Sequence, residues 1–236
     1  MMKEEVIELD TVDKYNKFFG VETYHPMVTV VDLSKITQPA QPFTINYGIY
    51  ALFLKDTLCG DITYGRQPYD YQEGTIVCFA PGQVASIHAQ EGTRPTGYGL
   101  LFHPDFIRGT QLGHDIRNYS FFSYEAREAL HLSEEERHTV IDCLHKIDTE
   151  LKRPADKHSR RLITANIGLL LDYCMRFYER QFTTREASNK DMLLSTTKPM
   201  SEIAYSLGFQ YPQHMSRMFK RVVGHSHNEY RTLQRG

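Results

Sequence analysis

The residue types that most often carry chemistry are present in this chain, but not in the arrangements that chemistry requires. Cys59, Cys78, Cys143 and Cys174 stand far apart with no Cys-x-x-Cys pair. A zinc knuckle or disulfide framework needs regular close spacing, so reduced and mostly buried thiols are expected. The stretch Cys59-Gly-Asp-Ile-Thr-Tyr64 holds no histidine pair, and without two or three converging ligands neither a metal site nor a cofactor is expected. No Ser/His/Asp set, phosphate loop or Gly-rich fingerprint stands out. No enzyme is expected.

The last forty-odd residues offer a different chemistry. Residues 192–236 carry six Lys/Arg (Lys198, Arg217, Lys220, Arg221, Arg231, Arg235) against Glu202 and Glu229, a net +4, on a chain whose total is −2. A basic module on an acidic body suits attraction to phosphate, and a solvated basic helix face gives the same count. Ile203 and Leu207 recur at helical spacing, Ala204 leaves room for a crossing helix, and Gly208 before Phe209 suits a sharp left-handed helix end. A second helix is predicted from Pro212, with Met215, Met218, Phe219 and Val222 as its buried stripe. Gln213, His214 and Arg217 then fall outward near its start, where such side chains can hydrogen-bond base edges. Tyr211, Ser216, Lys220 and Arg221 are assigned to phosphates. Gly224 closes that helix, and Ser226 with Glu229 forms a capping box for a last one. Helix-turn-helix DNA binding and a purely structural helical hairpin both remain open on spacing alone.

The rest of the chain must position this module. Short β-branched and aromatic runs between Tyr24 and Phe102, broken by Gly, Pro and Asp, predict a sandwich or barrel. Near residue 120 the pattern becomes helical. Ser133 and Glu136 form a capping box ahead of Val140, Ile141, Leu144, Ile147 and Leu151, and a second helix is predicted from about Ser159 to Phe182. Its apolar positions cover more surface than one neighbour needs, which leaves dimerisation and packing on the β domain as alternatives. Residues 183–191 lack apolar periodicity and read as linker or frayed helix. The fold class expected is α+β, with an N-terminal β-barrel over 1–118, a helical hairpin over 119–182, a junction over 183–191 and an all-α module over 192–236.

Ser201-Glu-Ile-Ala-Tyr-Ser-Leu-Gly-Phe209, Tyr211-Pro-Gln-His214, Arg217-Met-Phe-Lys220 and Gly224-His-Ser-His-Asn-Glu-Tyr-Arg231 closely resemble the second helix-turn-helix of AraC-type transcription regulators. Two departures accompany that resemblance. His227 stands where the family usually has proline, a site where proline pre-sets a helix start. The family carries two helix-turn-helix units on a joining helix, whereas here the first unit is missing between about Asn189 and Met192. One protomer can then address one groove segment instead of successive major grooves ~34 Å apart. Glu73-Gly-Thr-Ile-Val-Cys-Phe-Ala-Pro-Gly82 and Leu100-Leu-Phe-His-Pro-Asp-Phe106 likewise resemble the cupin-like sensor of such proteins.

The resemblance implies double-stranded DNA as partner, a homodimer formed through the hairpin, and a small-molecule effector in the cupin-like domain. Tyr50, Tyr64 and His88 are the candidate ligand-binding residues, set against packing roles at strand ends and a structural histidine. His103, before Pro104, reads as a turn residue. The polar, acidic N-terminus and the lack of a ~20-residue apolar run predict a cytoplasmic protein with no membrane span. Two further readings compete with an effector-responsive regulator. One is a sensor and dimerisation module with impaired DNA binding, and the other is a cupin enzyme that a bound metal would reveal.

Overall fold

The computed structural model describes residues 6–36, 42–57, 60–64, 67–69, 73–89, 93–122, 129–195, 198–206, 216, 219–220 and 223–235. The chain divides into two compact units, Met1–Tyr178 and Glu179–Gly236. The fold is mixed α and β, as expected from the sequence.

The strands of the first unit are β1 (Val6–Leu9), β2 (Val28–Asp32), β3 (Phe43–Tyr47), β4 (Tyr50–Lys55), β5 (Gly60–Tyr64), β6 (Gln67–Tyr69), β7 (Thr75–Phe79), β8 (Gln83–Ala89), β9 (Gly97–Phe102) and β10 (Leu130–His131). They form two five-stranded sheets, in the orders β1-β3-β8-β5-β6 and β10-β7-β4-β9-β2. Only β1 and β3 pair in parallel among the described strands. The run from Tyr47 to Leu54, continuous in the sequence pattern, is split at Gly48-Ile49, where the chain leaves the first sheet for the second. Gly48 permits this because a Cβ there would lie 2.6 Å from the Asp10 backbone.

Side-chain alternation along these strands builds two cores. Ile45, Tyr47, Ile62 and Ala85 of the first sheet meet Ala51, Phe53, Val77, Phe79 and Leu101 of the second. Tyr47 stacks on Phe79 with ring centroids 4.7 Å apart and planes 5° apart. The intervening residues of the second sheet, Leu52, Leu54, Ile76, Cys78, Leu100 and Phe102, point the other way into a helical layer. The second sheet is therefore buried on both faces, which explains its nearly unbroken apolar runs.

The helices are α1 (Val12–Phe19), α2 (Pro104–Ile107), α3 (Gln111–Asp115), α4 (Glu134–Leu151) and α5 (Ser159–Ser195). α1 escaped the sequence reading, although its signals are present: Thr11 caps it, Val12, Tyr15 and Phe19 are its buried positions, and Gly20 ends it at φ 67°. The capping box of α4 is formed as expected. Val140, Cys143, Leu144 and Ile147 of α4 and Ile163, Ile167, Leu170, Leu171 and Cys174 of α5 share the core on the second sheet. The buried positions of α4 and of α5 up to Phe177 thus pack within the first unit, while Leu162 and Leu169 of α5 remain exposed. Packing on the β domain is what the buried positions of the hairpin do.

α5 does not end near Phe182 but runs to Ser195, so residues 183–191 are helical. The physical reason is that no Gly or Pro interrupts the chain between Gly168 and Pro199, and helix formation does not itself require apolar periodicity.

Asp56, just after β4, receives a two-pronged hydrogen bond from Arg137 of α4, at 2.8 Å from Nε and 2.7 Å from Nη2. Both side chains are mostly buried, at 28% and 19% exposure. Replacing Arg137 by alanine strands the carboxylate and is expected to cost about 2 kcal/mol. Urea denaturation checks this, and an unchanged midpoint would mean that solvent already supports Asp56.

Candidate nucleic-acid interface

The second unit is built around few buried residues. α6 (Met200–Ser206) turns Ile203 and Ala204 inward, both fully buried, against a fully buried Phe219. Met200, Val223 and Tyr230 pack around them. Ala204 has the small side chain that a close helix crossing needs, as its position in the sequence implied. Ser216, Phe219, Lys220 and Val223 are helical, and the Gly224 N–H donates to the Lys220 carbonyl at 3.0 Å. Gly224 then takes φ 78°, the left-handed ending that its place in the sequence predicted.

α7 (His227–Arg235) begins at once. Its capping box is formed: Glu229 Oε2 accepts from the Ser226 N–H at 2.7 Å, and Ser226 Oγ accepts from the Glu229 N–H at 3.3 Å. That bonding holds the Glu229 carboxyl below the usual carboxylate range. Arg231 Nη2 donates to the Lys198 carbonyl at 2.9 Å, tying α7 to the segment that enters α6.

Of the residues assigned to DNA from sequence, Lys220 is exposed beside the buried Phe219, and Ser216 is half-buried on the same helix. Tyr211, Gln213, His214, Arg217 and Arg221 lie outside the described residues, as do Leu207, Gly208 and Phe209. The described helices supply one such unit, because α6 follows α5 after residues 196–199 alone. His227 went unread in the sequence except as a missing proline. Its ring is buried and stacked on Phe219 at 4.1 Å.

Of the residues assigned to an effector, Tyr50 and His88 stand on different sheets. Tyr50 lies on the helix side of the second sheet, stacked on Phe102 at 5.1 Å and edge-on to Phe122. Burial pushes its hydroxyl pKa up, and Arg117 partly offsets this. His88 is exposed on β8, opposite Asp61 in the first sheet. The backbone of Tyr64 pairs with Ala85, and its side chain lies outside the described ones. Strand parity decides the face that Tyr50 takes: it and its neighbour Ala51 point to opposite sides of one sheet. His103 caps α2, its Nδ1 accepting from the Asp105 N–H at 3.1 Å, so it is the turn residue expected.

Cys78, Cys143 and Cys174 are free and buried, as expected of structural thiols. Desolvation raises the pKa of all three. Among the described residues, no group of three His, Cys, Asp or Glu could hold a metal ion. No helix among them is long and apolar enough to cross a membrane.

A short helix, a left-handed glycine and a capped third helix around one aromatic residue define a helix-turn-helix module. Residues 177–233 match the family described as helix-turn-helix domain. The C-terminal module is thus a helix-turn-helix domain, the class of module found in DNA-binding transcription regulators.

No curated protein matches the chain. Among solved structures it is similar to ToxT of Vibrio cholerae. An apo variant from strain SCE256 shows 11% identity and a TM-score of 0.33, over 87% of this chain and 96% of that one. A second ToxT structure gives 11% identity and 0.28, over 87% and 97%. The wild-type protein with bound unsaturated fatty acid gives 11% identity and 0.23, over 87% and 94%.

Proposed function

We propose that this chain is a sequence-specific, effector-responsive transcription regulator. In this reading the two-sheet domain senses a small molecule, the helical hairpin pairs two protomers, and the helix-turn-helix reads DNA in the cytoplasm. Supporting the DNA-reading role above all is the packing of Phe219 into Ile203 and Ala204, which fixes the helix that holds Lys220 out to solvent. Gln213, His214 and Arg217 are assigned to base edges; Tyr211, Ser216, Lys220 and Arg221 go to phosphates. Exposed Leu162 and Leu169 on α5 support a paired hairpin. An effector has to interact differently with two arrangements of the protein to change DNA binding. No catalytic residues are assigned.

The test is binding of the purified chain to a two-fold candidate site and to scrambled DNA across a salt titration. Sequence-preferring binding that weakens as salt rises is expected. Lys220→Ala should weaken binding to both duplexes alike and lower the salt slope by about one. A folded dimer with no preference would instead favour the second reading, a sensor and dimerisation module with impaired DNA binding. The single helix-turn-helix among the described helices is the observation behind that alternative.

A further inference from the structure

His227 has no part in the DNA-facing chemistry assigned above, yet it occupies the centre of the head. It is the first residue of α7 and only 6% exposed. Its ring lies over Phe219 with centroids 4.1 Å apart and planes 24° apart, and Tyr230 meets the other edge of this small core at 5.3 Å from Phe219. His227 Nε2 is buried and has no hydrogen-bond partner. A neutral imidazole suits such a seat. An imidazolium does not, because it must give up its hydration and finds no acceptor for the buried N–H.

The charges around the ring add to that cost. On its own helix, Arg231 stands one turn on, and the first turn of α7 carries the positive end of the helix dipole. Glu229, the acid of that turn, is bent back to the Ser226 N–H. Lys220 follows Phe219 on the preceding helix, and His225 lies in the turn between them. On α6, the acid Glu202 is exposed to solvent. Burial first, and Arg231 second, hold the His227 pKa down to about 4.

We propose that His227 makes the helix-turn-helix proton-sensitive: a proton gained by this ring loosens its stack on Phe219 and the helix that carries Lys220, so acidification releases the head from DNA. The release step rests on the DNA-reading function proposed above. The sign follows from linkage. The folded-state pKa lies below the ordinary 6.5, so the unfolded head binds more protons between the two values. Stability is full above about pH 6.5 and declines as pH falls toward 4, the folding equilibrium dropping ~30-fold by pH 5 and ~300-fold at the limit.

The full chain with ¹³C-labelled histidine is titrated by NMR beside His227→Phe, which keeps a flat ring that takes no proton. His227→Pro, where proline suits a first helical position, serves as the second variant. Affinity for a random-sequence duplex and hydrogen exchange of α7 amides are followed at constant salt. Both are read as the ratio of wild type to variant, so that His214 and His225, present in each, cancel. The expected result is a His227 resonance titrating below pH 5, with the ratio of α7 exchange protection falling ~30-fold between pH 7.5 and pH 5 and the affinity ratio falling in the same direction. A His227 titration near 6.5, or ratios that do not move with pH, overturns the proposal. Absence of duplex binding by the folded wild type at pH 7.5 overturns the DNA reading and the release step with it, while the ring titration and exchange alone decide the proton-sensitive stack.

Discussion

Phe219→Ala is expected to abolish DNA binding while leaving the N-terminal unit folded. The ring is fully buried and, with Ile203 and Ala204, makes up the buried apolar core of the described head. Deleting a buried phenylalanine costs about 3–5 kcal/mol. A small domain has little more than that in reserve. His227 and Tyr230 also lose the ring they pack on, so α7 should come loose together with the helix that carries Lys220. Limited proteolysis followed by mass spectrometry checks this, with new cleavage expected in 179–236 and none in 1–178. A variant that resists protease and still binds DNA would show that the head is held by something other than its core.

Gly97→Ala should be the most damaging single methyl addition in the N-terminal unit. Gly97 opens β9 opposite Lys55 at φ +114°, and a Cβ there would stand 2.1 Å from the Leu54 carbonyl oxygen. Neither partner can yield cheaply, because both are backbone in the centre of the second sheet. The expected cost is about 4 kcal/mol or more, in the range reserved for severe substitutions. In a unit of this size that corresponds to a Tm loss on the order of 10 °C. Gly109→Ala is the control. Its φ of +74° is also left-handed, but nothing lies within 4 Å of the added methyl, so only about 1–2 kcal/mol of backbone strain is expected. Equal losses in the two variants would mean that the conformation matters and the collision with Leu54 does not.

The head was the most legible part of the sequence because its boundaries are chemical. Gly224 can take a left-handed turn, and Ser226 with Glu229 can close only one kind of capping box. The sheets were legible as strands but not as faces. Whether Tyr50 meets an interior or a helical layer depends on a one-residue parity that apolar runs such as Tyr50-Ala-Leu-Phe-Leu54 hide, since both sides of β4 are buried. α5 was cut short in the reading because 183–191 has no apolar residue but Ala187, and periodicity detects a buried stripe, not the helix itself. His227 was weighed only for the proline it replaces. Its burial depends on where Phe219 lies, eight positions earlier, and no local pattern encodes that stack.

The second sheet has one further consequence. It is a party wall: Ala51 and Leu52 are consecutive residues, yet one belongs to the space between the sheets and the other to the helical layer. A shift of β4 on either side cannot be absorbed locally, because each strand residue that moves drags a neighbour lodged in the opposite compartment. The two compartments therefore open and close as a single foldon, and disturbance of the β interior reaches the hairpin without any dedicated route.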